Sequence, residues 1–261
     1  MKLKGNAEQE IVLKDELDIL DIILVHTKRS FFPWLIRFGT RSYWNHVAAV
    51  FLIRNKDKGF NNSFIIESAT GGVDIHNILD EYFLEPRKYD IGIKRIRAGW
   101  LKNRKDGLRI RKLVRGHLLD LIDADYDYGL LLRITRNILD NILFFQRMFF
   151  DGIRRYGVAP LKHHKHVPSR YICSGYVQYT LYQTIKSLLK RKKSGIKKVN
   201  ITDILFNRLF REKEEVNLLL STTPEDFSSS DRLEWRYIVR NGTVHRINKD
   251  EEVKMILYEN N

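Results

Sequence analysis

The feature that most limits how this chain can fold is a series of short apolar runs, each about as long as one β-strand. Val, Ile, Leu, Ala and Phe dominate these runs, and polar stretches rich in Gly and Asn separate them. The predicted strands are Asp21–His26, His46–Ile53, Ser63–Ser68, a brief strand after the Gly71-Gly72 turn, Tyr89–Ile96, and two segments flanking Asn241-Gly242. Because several of these runs are joined by short connections, we expect an antiparallel sheet.

Other segments carry apolar residues every three or four positions, which is the pattern of amphipathic helices. The predicted helices are Phe31–Phe38, packed over the first strand, Asn77–Phe83, Leu108–Ile122, Leu130–Phe150, a helix that opens at Cys173, and Thr202–Leu209. Residues 221–231 are predicted to be a loop with a turn at Pro224. The combination predicts an α+β fold, in which the antiparallel sheet packs against the helix that carries the cysteine.

Length and composition indicate one globular unit. The chain has 261 residues, 43% of them hydrophobic, which is sufficient for a substantial core. Residues 1–16 are polar and are predicted to be a lead-in, and residues 17–261 a single domain with a helical insertion at about 130–166. A single cysteine excludes an internal disulfide, and no apolar signal core or run of ~18 apolar residues is present. We therefore expect a cytoplasmic location, with peripheral attachment to a membrane left open.

The net charge of +14 predicts an anionic partner, and lipid headgroups, nucleic acid and acidic polymers all remain open on charge alone. No helix-turn-helix, zinc-finger or RNP pattern accompanies the charge, so nucleic acid is not favoured. The segment Leu130–Phe150 has a wide, Phe-rich apolar face next to basic residues. Two roles are open for it: a buried core helix, or a cover that faces an anionic membrane surface beside the active site.

Cys173, the only cysteine, lies in the predicted first turn of its helix. Unpaired backbone N–H groups and the positive end of the helix dipole favour a thiolate there and lower the cysteine pKa. Pro168 and Ser169 are candidate helix-entry residues, Gly175 leaves the backbone near the sulfur uncrowded, and the sulfur is expected at the exposed tip. The alternative is that Cys173 is a small buried apolar residue.

A histidine and a carboxylate occupy neighbouring strands of the first predicted hairpin. If His46–Ile53 and Ser63–Ser68 pair about a loop centred near residues 56–58, His46 faces a partner between about 66 and 70. Glu67 lies within that interval. A carboxylate beside an imidazole can orient the ring and keep its proton on one nitrogen. The alternatives are that His46 is a satisfied core histidine and that Glu67 faces water at a strand end.

The order of these pieces resembles a known family. A strand opening with His46, a strand carrying Glu67 and a later helix opening with Cys173 reverse the cysteine-first order of papain-like enzymes. The chain resembles the circularly permuted NlpC-type papain-like cysteine hydrolases (YiiX/YebB-like) and, more distantly, the lecithin:retinol acyltransferase group. The matching segments are DIILVH, SYWNHVAAV, IIESA followed by GGV, YDYG, YICSGYV and TPEDF.

That resemblance implies a permuted papain-like fold with Cys173 as the nucleophile, His46 as the base and Glu67 as the residue that orients the base. The implied function is a thiol-dependent amidase or peptidase acting through an acyl-enzyme. The alternatives are a lipid-directed hydrolase or acyltransferase, whose substrate is an ester or amide at a membrane surface, and a non-catalytic basic surface-binding protein. The chemistry requires no cofactor.

The sequence contains further polar candidates for which we expect no defined chemical role. Tyr126 and Tyr128 could line the substrate cleft or serve in packing, and Asp21 could cap the first strand or hydrogen-bond nearby backbone. His163, His164 and His166 lack the Cys or acidic neighbours of a structural zinc site, so no metal is expected.

Overall fold

The computed structural model describes residues 17–53, 63–133, 136, 168–190, 199–207 and 216–259. Its main feature is a seven-stranded antiparallel sheet formed by β1 (Ile22–Thr27), β2 (His46–Ile53), β3 (Ser63–Ala69), β4 (Gly72–Asn77), β5 (Tyr89–Ile96), β8 (Leu233–Arg240) and β9 (Thr243–Arg246). The order of the strands across the sheet is β4-β3-β2-β1-β5-β8-β9. A separate parallel pair consists of β6 (Asp125–Tyr126) and β7 (Arg170–Tyr171).

Helices lie between and after the strands. They are Phe31–Thr40, Gly99–Lys102, Arg104–Leu119, Cys173–Lys190, Val216–Leu220, Pro224–Ser229 and Asp250–Lys254, with single turns of other helix types at Leu79–Phe83, Ile201–Ile204 and Met255–Glu259. Residues 128–133 are also helical. The predicted mixed α+β class with an antiparallel sheet is therefore confirmed. Within the described part of the chain, no helix has the length and apolar character needed to cross a bilayer.

The sheet separates two apolar layers, because successive residues of a strand point to opposite faces. The first layer joins alternate strand residues to the helix Cys173–Lys190; among its members are Ile22, Leu24, Val47, Ala49, Tyr176, Val177, Leu181 and Ile185. The second layer lies on the opposite face; among its members are Ile23, Val25, Ala48, Val50, Ile91, Ile93, Tyr82 and Phe83. Burying one such side chain contributes about 1.5–3 kcal/mol, so both layers hold the sheet in place.

Strand predictions agree closely with the structure where turn signals bound the runs. β2 and β5 have the predicted limits. The hairpin between β8 and β9 turns at Asn241 (φ 51°) and Gly242 (φ 83°), whose positive φ angles are those that an Asn-Gly hairpin turn requires.

One prediction in the C-terminal part is wrong, and one helix there was not predicted. The helix Pro224–Ser229 replaces the loop predicted there, and the Thr223 and Asp226 side chains form a capping box that starts it. The Thr-x-x-Asp spacing with Pro at the first helical position is a helix-start signal that outweighs the turn preference of Pro and Ser. After the second hairpin strand the chain is helical over residues 250–259, and the sequence interpretation does not predict this helix.

Several helix limits also differ. The helix predicted from Leu108 begins at Arg104, because the Asn103 side chain caps it by accepting from two backbone N–H groups. Asn77–Phe83 contains only a single turn, Leu79–Phe83, and Thr202–Leu209 only the turn Ile201–Ile204. Of the segment Leu130–Phe150, residues 134, 135 and 137–150 lie outside the described residues.

Candidate active site

The helix Cys173–Lys190 begins at the residue that carries the thiol, so the predicted first-turn position is confirmed. The carbonyl oxygen of Ile172 accepts a hydrogen bond from the N–H of Tyr176 at 2.9 Å. The N–H groups of Cys173, Ser174 and Gly175 therefore precede Tyr176, the first donor within the helix, and have no acceptor in the helix itself. The N–H of Ser174 hydrogen-bonds the Cys173 sulfur instead. This end of the helix consequently directs backbone dipoles at the sulfur.

The sulfur is buried, and the expectation of an exposed tip is wrong. Cys173 is only 4% exposed. The start of the helix and the residues just before it contact both β2 and β3. These contacts lie beyond the last residue pair that the two strands form with each other. The Ser68 hydroxyl donates to the Tyr171 carbonyl at 3.0 Å, and the Val47 N–H hydrogen-bonds the sulfur. Because the helix end lies against two diverging strands, it does not project into solvent.

Gly175 has a packing role at the start of the helix. A Cβ atom at this position would collide with the carbonyl group of Leu220, at the end of the helix Val216–Leu220. The glycine is therefore needed for close approach of two helices, and not to leave space around the sulfur as the sequence interpretation expects.

The strand register brings His46 and Glu67 together diagonally. Ala48 pairs with Glu67, so the antiparallel register continued by two residues sets His46 opposite the position of Ala69, which lies within the expected interval. Residues two apart on a strand share a face, and diagonal neighbours remain within reach of long side chains. His46 Nε2 and Glu67 Oε2 are 2.7 Å apart.

Glu67 is held by further polar groups. The carboxylate is buried, with 2% exposure of the residue, which excludes the alternative that it faces water. The Tyr82 hydroxyl donates to Glu67 Oε2 at 2.7 Å, and His76 Nε2 lies 3.9 Å from Oε1. Tyr82 comes from the second apolar layer, so this layer supplies a fixed donor to the carboxylate.

His46 lies between the carboxylate and the thiol. Its side chain is 15% exposed, and it hydrogen-bonds the Cys173 side chain as well as Glu67. Each ring nitrogen has one in-plane hydrogen-bonding position. Since Nε2 is engaged by Glu67, Nδ1 is the nitrogen left for the sulfur. The three predicted residues therefore form one hydrogen-bonded series, Cys173–His46–Glu67.

The electrostatics of the series favour a charged pair. Burial lowers the pKa of His46, but the charges of Cys173 and Glu67 and the hydrogen bonds to both outweigh it and raise the pKa well above its usual range. Burial raises the pKa of Cys173, yet the charge and hydrogen bond of His46 and two backbone N–H groups lower it overall. The pKa of Glu67 is likewise lowered, because His46 and Tyr82 outweigh burial. Thiolate and imidazolium therefore stabilise each other.

The YDYG segment lies next to the thiol. Tyr126 pairs with Tyr171 in the parallel β6–β7 ladder, two residues before Cys173. Burial and then the charge of Cys173 raise the pKa of Tyr126, which places its hydroxyl in the field of the sulfur. The ring of Tyr128 packs against that of Tyr126 at a centroid distance of 5.0 Å, and its hydroxyl donates to the Thr70 carbonyl. Tyr126 is thus a neighbour of the site, whereas Tyr128 supports it.

Asp21 lies away from this site, just before β1, at the opposite end of that strand from the Val25–His46 pair. It is 1% exposed and accepts two hydrogen bonds from Arg95, at 2.6 and 2.7 Å, and one from the Asp18 N–H at 2.7 Å. Burial raises its pKa against the effect of Arg95. The contacts are those of a structural ion pair.

Among the described residues no group of three His, Cys, Asp or Glu side chains could hold a metal ion. His163, His164 and His166 lie outside the described residues. Tyr82 is the site residue that the sequence interpretation missed. Its place in a short helical turn after β4 carries no chemical signal, because only the packing of that turn against the sheet brings the hydroxyl to Glu67.

Comparison with known proteins identifies no relative from which a function could be assigned, so a functional assignment depends on the geometry of the site. No protein-family model matches the chain, and no curated protein matches it significantly.

Proposed function

We propose that this protein is a thiol-dependent acyl-transfer enzyme with Cys173 as nucleophile, His46 as base and Glu67 as the group that orients the base. The observation that carries the proposal is the hydrogen-bonded series of these three side chains, in which the pKa of the thiol is lowered and that of the imidazole raised. A buried cysteine without a function would have no need of an imidazole and a buried carboxylate, since desolvating a carboxylate is costly.

The proposed reaction has two stages. The Cys173 thiolate attacks the carbonyl carbon of an amide or ester, a C–S bond forms, and the carbonyl oxygen becomes an oxyanion. His46, as imidazolium, then gives its proton to the leaving amine or alcohol as the C–N or C–O bond breaks. In the second stage water or another acceptor loses a proton to neutral His46, attacks the thioester and releases the acyl group and the thiolate. The imidazolium–thiolate pair is restored.

Groups for the oxyanion lie at the start of the helix. The N–H groups of Cys173, Ser174 and Gly175 precede Tyr176, the first intrahelical donor. Such donors are commonly worth about 3 kcal/mol each in the transition state. Glu67 stabilises the imidazolium, and Tyr82 keeps the Glu67 carboxylate in one position through a 2.7 Å hydrogen bond.

The proposed fold family is the circularly permuted NlpC-type papain-like one. In support, the histidine strand β2 precedes the cysteine helix in the chain, and that helix packs on the antiparallel sheet. A peptide or isopeptide amidase and a lipid-directed hydrolase or acyltransferase are the two substrate classes within the proposal. A non-catalytic protein that kept the fold is the competing function.

Alkylation tests the proposal directly, because Cys173 is the only cysteine and any adduct is therefore assigned by intact mass. The rate of reaction with iodoacetamide is measured at neutral pH for the native protein, for the same protein unfolded in denaturant, and for His46→Asn. We expect native Cys173 to react faster than the unfolded thiol and His46→Asn to lose that advantage. A native rate at or below the unfolded rate contradicts the proposal.

A small activated ester then tests acyl transfer. The expected result is a covalent acyl adduct on the wild type that decays with time, and none on Cys173→Ala. A non-catalytic protein would accumulate no adduct above the level of the unfolded chain.

A further inference from the structure

The helix Phe31–Thr40, which connects β1 to β2, exposes an aromatic face. Phe31, Trp34 and Phe38 are 75%, 47% and 44% exposed. Their spacing of three and four residues aligns them on one side of the helix. The rings stack in a row, with centroids 5.8 Å apart between Phe31 and Trp34 and 5.5 Å apart between Trp34 and Phe38. The sequence prediction of a helix here is confirmed, but the side chains of Phe31, Trp34 and Phe38 are largely exposed to solvent.

The aromatic face continues onto the C-terminal helical segment. A groove of about 570 Å³ runs beside the helix, and Trp34, Phe38, Tyr43 and Tyr258 are among its lining residues. Tyr258 is 59% exposed, and its ring lies 5.8 Å from that of Tyr43. We name Phe31, Trp34, Phe38 and Tyr258 the aromatic surface. A contiguous exposed patch of this kind marks an interaction site rather than scattered surface residues.

Close to the helix Phe31–Thr40 in the sequence, the charged residues are of one sign. Residues 22–56 contain no Asp or Glu. Arg29 and Arg41, just before and just after the helix, are exposed. Lys28 pairs with Asp90 at 2.6 Å, and Arg37 donates to the Thr27 carbonyl at 2.6 Å. Arg29 and Arg41 lie at the two ends of the helix beside the apolar rings, and their exposed positive charges are complementary to an anionic surface.

We propose that the aromatic surface docks this protein onto a membrane that contains anionic lipids. Aromatic rings with a polar edge, such as those of Trp and Tyr, favour the zone between headgroups and acyl chains. A ten-residue helix is about 15 Å long, so it would lie within that zone and not cross the bilayer. Arg29 and Arg41 would then meet lipid phosphates while Phe31 and Phe38 enter the acyl region.

The position of the aromatic surface relates it to the candidate active site. Only residues 41–45 separate the helix from His46, and the Asn45 N–H donates to Val25 in β1 at 2.9 Å. Docking therefore brings the bilayer to the end of the sheet that carries His46. The substrate class that follows is an ester or amide of a membrane lipid; this second step rests on the proposed function, whereas docking itself does not.

Trp34 provides a direct probe of docking. Trp44, Trp100 and Trp235 are at most 8% exposed, so Trp34 is the solvent-facing member of the four tryptophans. On addition of phosphatidylcholine vesicles that contain about one third phosphatidylserine, we expect a blue shift of emission and quenching by brominated acyl chains. Unchanged emission while the protein sediments with the vesicles would show that another face docks, and would overturn the proposal.

Co-sedimentation with the same vesicles at low salt gives the affinity. The variant Phe31→Ser/Trp34→Ser/Phe38→Ser should bind at least about tenfold more weakly, because the apolar area that enters the bilayer is lost. The matched control is Leu108→Ser/Leu119→Ser/Leu189→Ser, which changes three exposed apolar side chains away from the aromatic surface and should bind like the wild type. Equal binding by the two variants, or no binding by the wild type, overturns the proposal.

A charge variant covers the case in which the serine variant does not fold. Arg29→Glu/Arg41→Glu leaves the rings in place and should weaken binding by about tenfold or more at low salt. Its binding should also depend less on salt concentration than that of the wild type. Undiminished binding by a folded charge variant contradicts the anionic-lipid assignment.

Two other occupants of the aromatic surface have distinct outcomes. A second copy of the chain would give a dimer in sedimentation velocity that the serine variant loses, without vesicle binding. A covering segment of the same chain would give free protein whose Trp34 emission is already that of a buried indole. Either result overturns membrane docking. Failure of the catalytic proposal is seen separately, because Cys173→Ala should still bind vesicles and the serine variant should keep the wild-type rate of Cys173 alkylation.

Discussion

Charged and polar side chains are usually exposed, and aromatic side chains are usually buried. The candidate active site and the aromatic surface each reverse one of these tendencies. The site buries a carboxylate and a thiol, since Glu67 is 2% and Cys173 4% exposed, whereas the aromatic surface leaves Phe31 75% exposed. Buried polar groups are costly unless they are hydrogen-bonded, and Glu67 is bonded by His46 and Tyr82 within the chain. Among the described residues, the rings of Phe31, Trp34 and Phe38 have only each other as ring partners.

The two regions differ in whether contacts within the protein offset the cost of these arrangements. The polar groups of the candidate active site form hydrogen bonds with one another inside the protein, so the chemistry of the site can be derived from these contacts. The aromatic surface has flanking charge and ring stacking but little burial, and the proposed membrane would bury its rings outside the protein. The predictions below separate these two kinds of region, and they run from the largest expected effect to the smallest.

The largest effect is expected at the nucleophile. Cys173→Ala should abolish the acyl adduct, and the turnover of an activated ester should fall by about three orders of magnitude or more. Far-ultraviolet circular dichroism should remain that of the wild type, because the substitution removes one buried atom. Adduct formation on a folded Cys173→Ala protein would assign the nucleophile elsewhere.

The dependence on His46 should appear in the pH profile of alkylation. Since His46 lowers the pKa of the Cys173 thiol from 9.0, the wild-type midpoint should lie below that value. In His46→Asn the burial of the thiol is no longer opposed by the imidazolium, so the midpoint should rise above the wild-type one. The measurement is the alkylation rate against pH by intact mass. Coincident midpoints would mean that the two side chains do not interact in solution.

Glu67 and Tyr82 should affect turnover more moderately. Glu67→Gln is expected to keep the fold and slow turnover by about one to two orders of magnitude, because a neutral amide stabilises imidazolium poorly. Tyr82→Phe removes a single donor and should cost about 1–3 kcal/mol of unfolding free energy and a smaller factor in rate. Unchanged rates in Glu67→Gln would show that another group orients His46.

The same carboxylate predicts a pH dependence of stability. The folded pKa of Glu67 lies below its ordinary value of 4.5, so its contribution to the unfolding free energy is present above that value and is lost as the pH falls through the folded pKa. Urea unfolding of the wild type should therefore lose more free energy on acidification than unfolding of Glu67→Gln. Parallel pH dependences would contradict the depressed pKa.

The smallest effect on stability is expected at the aromatic surface. Phe38→Ser should change the unfolding free energy by less than about 1 kcal/mol, since the side chain is half exposed. The matched substitution in the first layer, Val177→Ala, removes a buried side chain and should cost about 2 kcal/mol. Chemical denaturation measures both. A large loss in Phe38→Ser would make the ring part of the core and weaken the membrane assignment.

The comparison also shows where prediction from sequence succeeds. The limits of β2 and β5 agree because each run is bounded by turn or charge signals, and the register near Glu67 agrees because a hairpin constrains which residues face each other. The helix Pro224–Ser229 was predictable from its Thr-x-x-Asp capping box, although Pro and Ser favour a turn. Tyr82 was not predictable, because its role depends on how a single helical turn packs on the second layer.

What the sequence determined by itself is local: the mixed class, the strands, the helix that begins at Cys173 and the neighbouring positions of His46 and Glu67. Periodicity and turn residues act over a few positions, so these features need no knowledge of the whole fold. The tertiary structure alone decided that the thiol is buried, that Val47 and Ser174 direct N–H groups at it, and that Phe31 and Trp34 face outward. Burial and long-range contact depend on which elements meet in space, and that is decided by the packing of two layers against one sheet.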